Sequence, residues 1–174
     1  MAARDFVYRK STIGSEDTTL RPWDRYLKTA EGNITQVRSG MAQAYAFALG
    51  APNIPARIVH LGTKDYVEGL DRRGTHATVE VLIDNRWVVF DPTFNVSFGR
   101  PNGKELLSIP EMKSCVEQGY SLAPIKGKTQ IKGRMVEDYY LPCSKLLFAY
   151  ERAGAVAGGK DCPLDAFPSV GWCA

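Results

Sequence analysis

No stretch of this chain approaches the roughly 20 consecutive apolar residues that a helix needs to cross a bilayer, so no membrane span is expected. Charge of one sign is scarce as well. The 22 Lys and Arg residues are set against 19 Asp and Glu, for a formal net charge of +3. That is too even a balance for a nucleic-acid-binding surface. The densest basic stretch, Lys126, Lys128, Lys132 and Arg134, is broken by glycines and carries no interleaved aromatics, which reads as a solvated loop or hairpin. The four cysteines, Cys115, Cys143, Cys162 and Cys173, form no CxxC pair and have no histidine at metal spacing, which argues against zinc. No cluster of carboxylates suggests calcium, and no organic cofactor is implied. The N-terminal Met-Ala-Ala-Arg-Asp-Phe lacks the apolar centre of an export signal, so a cytoplasmic protein with free thiols is expected. A Cys162–Cys173 bridge would require an oxidising compartment. Sequons at Asn33 and Asn95 are too short a pattern to weigh.

What is present suits one domain over residues 1–174, since 44% of the residues are hydrophobic and neither a repeat nor a low-complexity linker divides them. Residues 1–36 show weak periodicity, with a helix expected near Trp23–Ala30 and Pro22 in its first turn. Residues 39–49 are helical in pattern. Met41, Tyr45, Ala48 and Leu49 fall on one stripe, Ser39 is the expected N-cap, and Gly50 closes the segment. Ala56–Gly62 reads as a buried strand. Residues 76–83 and 86–91 form the clearest hairpin, joined by Asp84-Asn85, a pair suited to a tight primed turn. A short helix is expected near Pro110, and strand structure between Arg134 and Tyr150. An irregular tail is expected from Gly154. The fold class is α+β, a helix packed on an antiparallel sheet.

The hairpin itself brings two reactive groups together. With Asp84 and Asn85 as the loop, Ile83 pairs with Arg86, which sets Thr78 opposite Asp91 and His76 opposite Thr93. Alternation then puts His76, Thr78, Glu80 and Leu82 on one face with Trp87, Val89, Asp91 and Thr93. His76 and Asp91 become diagonal neighbours, about 7 Å apart at the backbone and within side-chain reach. Ala77, Val79, Val81, Ile83, Val88 and Phe90 form the apolar opposite face. A carboxylate bonded to one imidazole nitrogen fixes the tautomer and leaves the other nitrogen to take or give a proton. By itself such a pair is also an ordinary structural contact. His60, mid-strand, reads as a hydrogen-bonded structural histidine, and Glu80 as a structural polar contact.

Three segments, Arg38-Ser-Gly-Met-Ala-Gln-Ala-Tyr45, Thr75-His-Ala-Thr-Val-Glu-Val81 and Arg86-Trp-Val-Val-Phe-Asp-Pro-Thr93, together with Ile54-Pro-Ala-Arg57, resemble the core of the transglutaminase-like superfamily. The resemblance covers about residues 38–95 and implies a papain-like fold. It also implies a Cys-His-Asp triad that attacks an amide or ester carbonyl and forms a thioester. His76 would be the general base and acid, and Asp91 its orienter. Ala42 occupies the nucleophile position. A thiol there, in the first turn of the helix, would be activated by the imidazole and by the helix dipole. The backbone N–H of Ala42 would be one oxyanion donor, with Trp23 or Gln36 as candidates for the second. The family further implies a peptide or protein substrate, with water or an amine as acceptor. The link from residue 42 to Ile-Pro-Ala-Arg is shorter than is common there. None of the surviving cysteines opens a helix, Cys115 following one instead, so a migrated nucleophile is not expected.

The missing thiol has two readings. Ala42 is an engineered replacement in a genuine thiol hydrolase or acyltransferase, favoured by the retained His76 and Asp91. Alternatively, the chain is a natural pseudoenzyme that keeps the cleft as a peptide- or protein-binding module. The sequence does not choose the substrate, and it leaves hydrolysis, acyl transfer and oligomeric state open.

Overall fold

The computed structural model describes residues 2–15, 19–32, 34–63, 66, 68–70, 75–101, 103, 105–132 and, at the level of backbone, 150–156. The chain begins with α1 (Ala2–Lys10) and β1 (Ser11–Ile13), followed by α2 (Pro22–Glu31) and β2 (Ile34–Gln36). Next come α3 (Arg38–Gly50), β3 (Ala56–Gly62), β4 (Thr75–Ile83) and β5 (Arg86–Phe90). The last described elements are β6 (Val96–Gly99), α4 (Ile109–Glu117), β7 (Ala123–Lys126) and β8 (Tyr150–Val156).

The main sheet has the order β5-β4-β3-β8, and each neighbouring pair is antiparallel. Helix α3 is central, packed by α1 and α2 and lying on β3 and β4. That position explains its sequence. Gly40, Ala42, Ala44 and Ala46 are all buried, and such small residues let neighbours approach from several sides. Met41, Tyr45 and Leu49 supply bulk, each worth about 1.5–3 kcal/mol of burial. Burial is wider than the single stripe expected, because the helix is enclosed on more than one face. It also begins earlier than expected. The N-cap is Val37, with no side-chain cap, and Ser39 lies within the helix.

The β4–β5 hairpin has the expected register, with Ile83 opposite Arg86 and Val79 opposite Phe90. Asp84 and Asn85 both take positive φ, 48° and 62°, as a primed turn requires. Beyond Phe90 the ladder with β4 stops. Asp91 and Val96 exchange N–H···O bonds of 2.8 and 3.2 Å, so residues 92–95 form a turn in place of the Thr93–His76 pairing expected. Asn95 in that turn has φ 54°.

The two faces of the sheet carry separate cores. Ala77, Val79, Val81, Val88 and Phe90 pack with Val7, Met41, Ala42, Ala44 and Tyr45. Val59, Leu61 and Val89 pack on the other side with Phe94, Phe98, Met112 and Cys115. The expected helix near Pro110 is α4, started by Ser108 in a full capping box with Glu111. Cys115 lies inside α4, buried, rather than after it. Helix α2 has Pro22 in its first turn, as expected. The tail expected to be irregular from Gly154 begins instead in strand, with Gly154 paired to Ile58. The strands expected over Arg134–Tyr150 lie outside the described residues except at Tyr150, as do Asn33, Arg134, Cys143, Cys162 and Cys173. No described helix is long and apolar enough to cross a membrane.

Candidate active site

His76 enters near the start of β4 and Asp91 directly follows β5, so the hairpin carries both to the same end of the sheet. Their side chains meet at 2.5 Å between Nε2 and Oδ2, and both are fully buried. A carboxylate only accepts, so this bond places the ring proton on Nε2 and leaves Nδ1 as the ring nitrogen that Asp91 does not engage. The other carboxylate oxygen is held as well. Asp91 Oδ1 accepts the N–H of Thr93 at 2.8 Å and of Phe94 at 3.2 Å. The turn that interrupts the hairpin therefore orients the carboxylate. Phe94 also stacks on the His76 ring, with centroids 5.5 Å apart, and so limits its rotation.

Ala42 is completely buried in the α3 core, in the cluster that holds Ala77; by alternation Ala77 and His76 point to opposite faces of β4, and the His76 ring stacks on Phe94, a member of the other core. The early start of α3 makes it the fifth helical residue rather than a member of the first turn. Met41 N–H already bonds Val37 C=O at 3.1 Å. By helical register the N–H of Ala42 points to the Arg38 carbonyl, outside the group of unpaired donors at a helix start. The dipole is correspondingly weaker there than a first-turn position would give.

The two other oxyanion candidates separate. Trp23 is half exposed and packs on Tyr26 and on Phe47, in the far half of α3, with the Trp23–Phe47 centroids 5.4 Å apart. It therefore does not reach the start of α3. Gln36 is fully buried and directly precedes the N-cap of α3. Its Nε2 donates to Ser11 Oγ at 2.6 Å and to Thr29 Oγ1 at 3.4 Å.

Glu80 is a structural group, as expected. Its buried carboxylate accepts from Arg57 Nε at 2.7 Å and from the Ile109 N–H at 2.7 Å, where it also meets the positive end of α4. Arg57 in turn lies over the Trp87 ring, 4.5 Å from its centroid. His60 pairs with Ala77 in the sheet, which by alternation sets it on the face away from His76. Asn95 is buried and its amide donates to Asp5 Oδ1 and to Thr129 C=O, so this sequon is closed to modification in the folded chain. Among the described residues no group of three or more His, Cys, Asp or Glu is arranged to hold a metal.

One charged residue near the pair had no signature in the sequence. Arg4 of α1 is buried, and burial holds its pKa below the usual arginine value against the opposing attraction of Tyr45, Asp91 and Asp5. Tyr45, one helical turn beyond Ala42, is pushed up to about 12 by burial, with Arg4 pulling the other way.

No protein of curated function matches the chain. A solved structure from Cytophaga hutchinsonii, named as a candidate cysteine protease, is similar at 19% identity and a TM-score of 0.38. That similarity covers 93% of this chain and 45% of the other, so the chain spans less than half the length of that protein. The family model of the transglutaminase-like superfamily matches residues 2–92, which takes in α1, α2 and β2 as well as the segments from Arg38 onward. The N-terminal flank is thus part of the matched region, and by that match this chain belongs to the transglutaminase-like superfamily.

Proposed function

We propose that the site is that of a thiol hydrolase or acyltransferase acting on a peptide-type amide, with residue 42 as the nucleophile position. His76 is then the general base and acid, and Asp91 its orienter. As written, with Ala42, the chain has no nucleophile there and does not turn over substrate. The observation that carries the reading is the 2.5 Å His76–Asp91 bond. It puts the proton on Nε2, so that Nδ1 is the nitrogen that would take part in the exchange a thiol requires. A thioester would pass to water or to an amine acceptor. Of the second-donor candidates Gln36 adjoins the start of α3, but its amide protons are given to Ser11 Oγ and Thr29 Oγ1, so it supplies no oxyanion donor in this arrangement.

A second reading is favoured by one observation. The Ala42 methyl is wholly buried among Met41, Ala44 and Ala77, where a small apolar side chain suits the packing. On this reading the chain is a pseudoenzyme that keeps the fold as a peptide- or protein-binding module.

The substitution Ala42→Cys separates them. Alkylation by iodoacetamide near neutral pH, faster at residue 42 than at the other four cysteines and lost on adding His76→Ala, supports the enzyme. Labelling at residue 42 no faster than at the other four cysteines refutes it and leaves the binding module.

A further inference from the structure

Arg4 reaches from α1 to the segment that closes the Asp91 turn. From α1, Nε donates to Asn95 Oδ1 at 2.9 Å and Nη1 to Ser97 Oγ at 2.6 Å. The guanidinium sits 5.4 Å from the centre of the Phe90 ring, beside the residue that precedes Asp91. Asn95 and Ser97 flank Val96, the residue that exchanges backbone hydrogen bonds with Asp91. Arg4 therefore holds both sides of the strand that closes the Asp91 turn. Its acceptor is itself fixed, because Asn95 Nδ2 donates to Asp5 Oδ1 at 2.8 Å and to Thr129 C=O at 2.9 Å. Gly127 leaves no room for Asn95 to retreat, since a Cβ there would fall 2.4 Å from Oδ1. Four residues along α1, Tyr8 Oη accepts the Ile131 N–H at 2.7 Å and anchors the helix again.

Burying a guanidinium is costly unless its charge and its donors are matched. Two neutral acceptors and one aromatic face match the donors, but they supply no countercharge. The carboxylates that it feels are those of Asp91 and Asp5, the Tyr45 hydroxyl across on α3 being neutral below about pH 12. We infer that Arg4 is a positioning residue for the His76–Asp91 pair, a buried cation that holds the carboxylate and its turn in the orientation that bonds the imidazole. Arg4 touches no substrate and acts through Asp91. The inference deepens the proposed function, but it concerns a hydrogen bond that exists whether or not residue 42 carries a thiol.

The test therefore uses the chain with Ala42 in place and reads the proton shared by His76 and Asp91 as a low-field resonance in ¹H NMR. Arg4→Met removes the charge and keeps the bulk, whereas Arg4→Lys keeps the charge. The resonance is expected to be lost in Arg4→Met and retained in Arg4→Lys. An unchanged resonance in the folded Arg4→Met variant, or equal loss in both, overturns the inference. If Arg4→Met does not fold, Ser97→Ala decides, because it removes one acceptor and leaves the cation buried. A displaced or exchange-broadened signal supports the role, and an unmoved one overturns it. Slow alkylation of an Ala42→Cys variant would instead defeat the thiol-enzyme reading and leave this result standing.

Discussion

Asp91 accepts three hydrogen bonds, and two substitutions resolve what each oxygen does. Asp91→Ala takes the acceptor away from the buried Thr93 and Phe94 N–H groups, which stood at 2.8 and 3.2 Å, and from the His76 ring. Two buried backbone donors stranded at about 1–3 kcal/mol each put the loss near ~4 kcal/mol. That is a large share of the roughly 5–15 kcal/mol by which a domain is stable. Asp91→Asn keeps an oxygen for the two N–H groups but makes the bonds neutral, at a cost of about 1 kcal/mol each. Its amide nitrogen then faces His76 Nε2 and can only donate. The imidazole must give up its proton there and carry it on Nδ1, the tautomer unable to act as a base toward residue 42. Urea unfolding followed by circular dichroism measures the two stabilities, and ¹⁵N NMR of the imidazole reads the tautomer. Equal destabilisation by the two variants would refute the turn argument. A proton still on Nε2 in Asp91→Asn would refute the assignment of roles.

Two further outcomes follow from buried charged and titratable groups. Glu80→Ala strands the Ile109 N–H and removes the partner of Arg57, whose side chain is 27% exposed and regains water. A loss of about 3 kcal/mol in urea unfolding is expected, with Glu80→Gln near half of that, and equal values would show that charge is irrelevant there. Tyr45 gives a pH dependence: its pKa is raised from 10.0 to about 12 by burial, so it stays protonated in the fold while the unfolded chain ionises above pH 10. Its contribution is complete below pH 10 and is lost as pH rises to about 12, an effect on the order of 3 kcal/mol. Between pH 9 and 12 the urea midpoint of the unsubstituted chain should fall more steeply than that of Tyr45→Phe, and parallel slopes would refute the assignment.

The hairpin was legible because its signals are local: strict alternation on both strands and a turn pair able to take positive φ. Register then follows by counting, and counting places the imidazole beside the carboxylate. The same counting fails two residues later, at Thr93. There the Asp91 carboxylate offers the Thr93 and Phe94 N–H groups an alternative to the ladder, and the chain turns. Helix α3 was legible in extent, but its N-cap is Val37, two residues before the expected Ser39, and it caps without a side-chain bond. Helix α1 was hidden because its buried side chains are Arg4, Val7 and Tyr8. A charged residue at an inward position breaks the apolar stripe that periodicity relies on. The partners that make the burial tolerable, Asn95 and Ser97, lie more than 90 residues away.

The presence of His76 and Asp91 in a chain with Ala42 speaks at first for chemistry, since a matched base and orienter serve no catalytic purpose without a thiol. The structure gives both residues a second employment. Asp91 closes the 92–95 turn through two backbone bonds, and the His76 ring is packed against Phe94. Losing either would unsettle the fold, whereas a change from thiol to methyl at residue 42 would leave a small side chain in a close-packed apolar cluster. Of the three positions in the proposed triad, residue 42 is thus the one whose polar group the fold does not need. Retention of the pair therefore counts for less in favour of an engineered Ala42 than the sequence suggests, and thiol reactivity in the Ala42→Cys form carries the decision. A histidine that still activates a restored sulfur has been kept in working geometry. One that does not has been kept for the turn it stabilises.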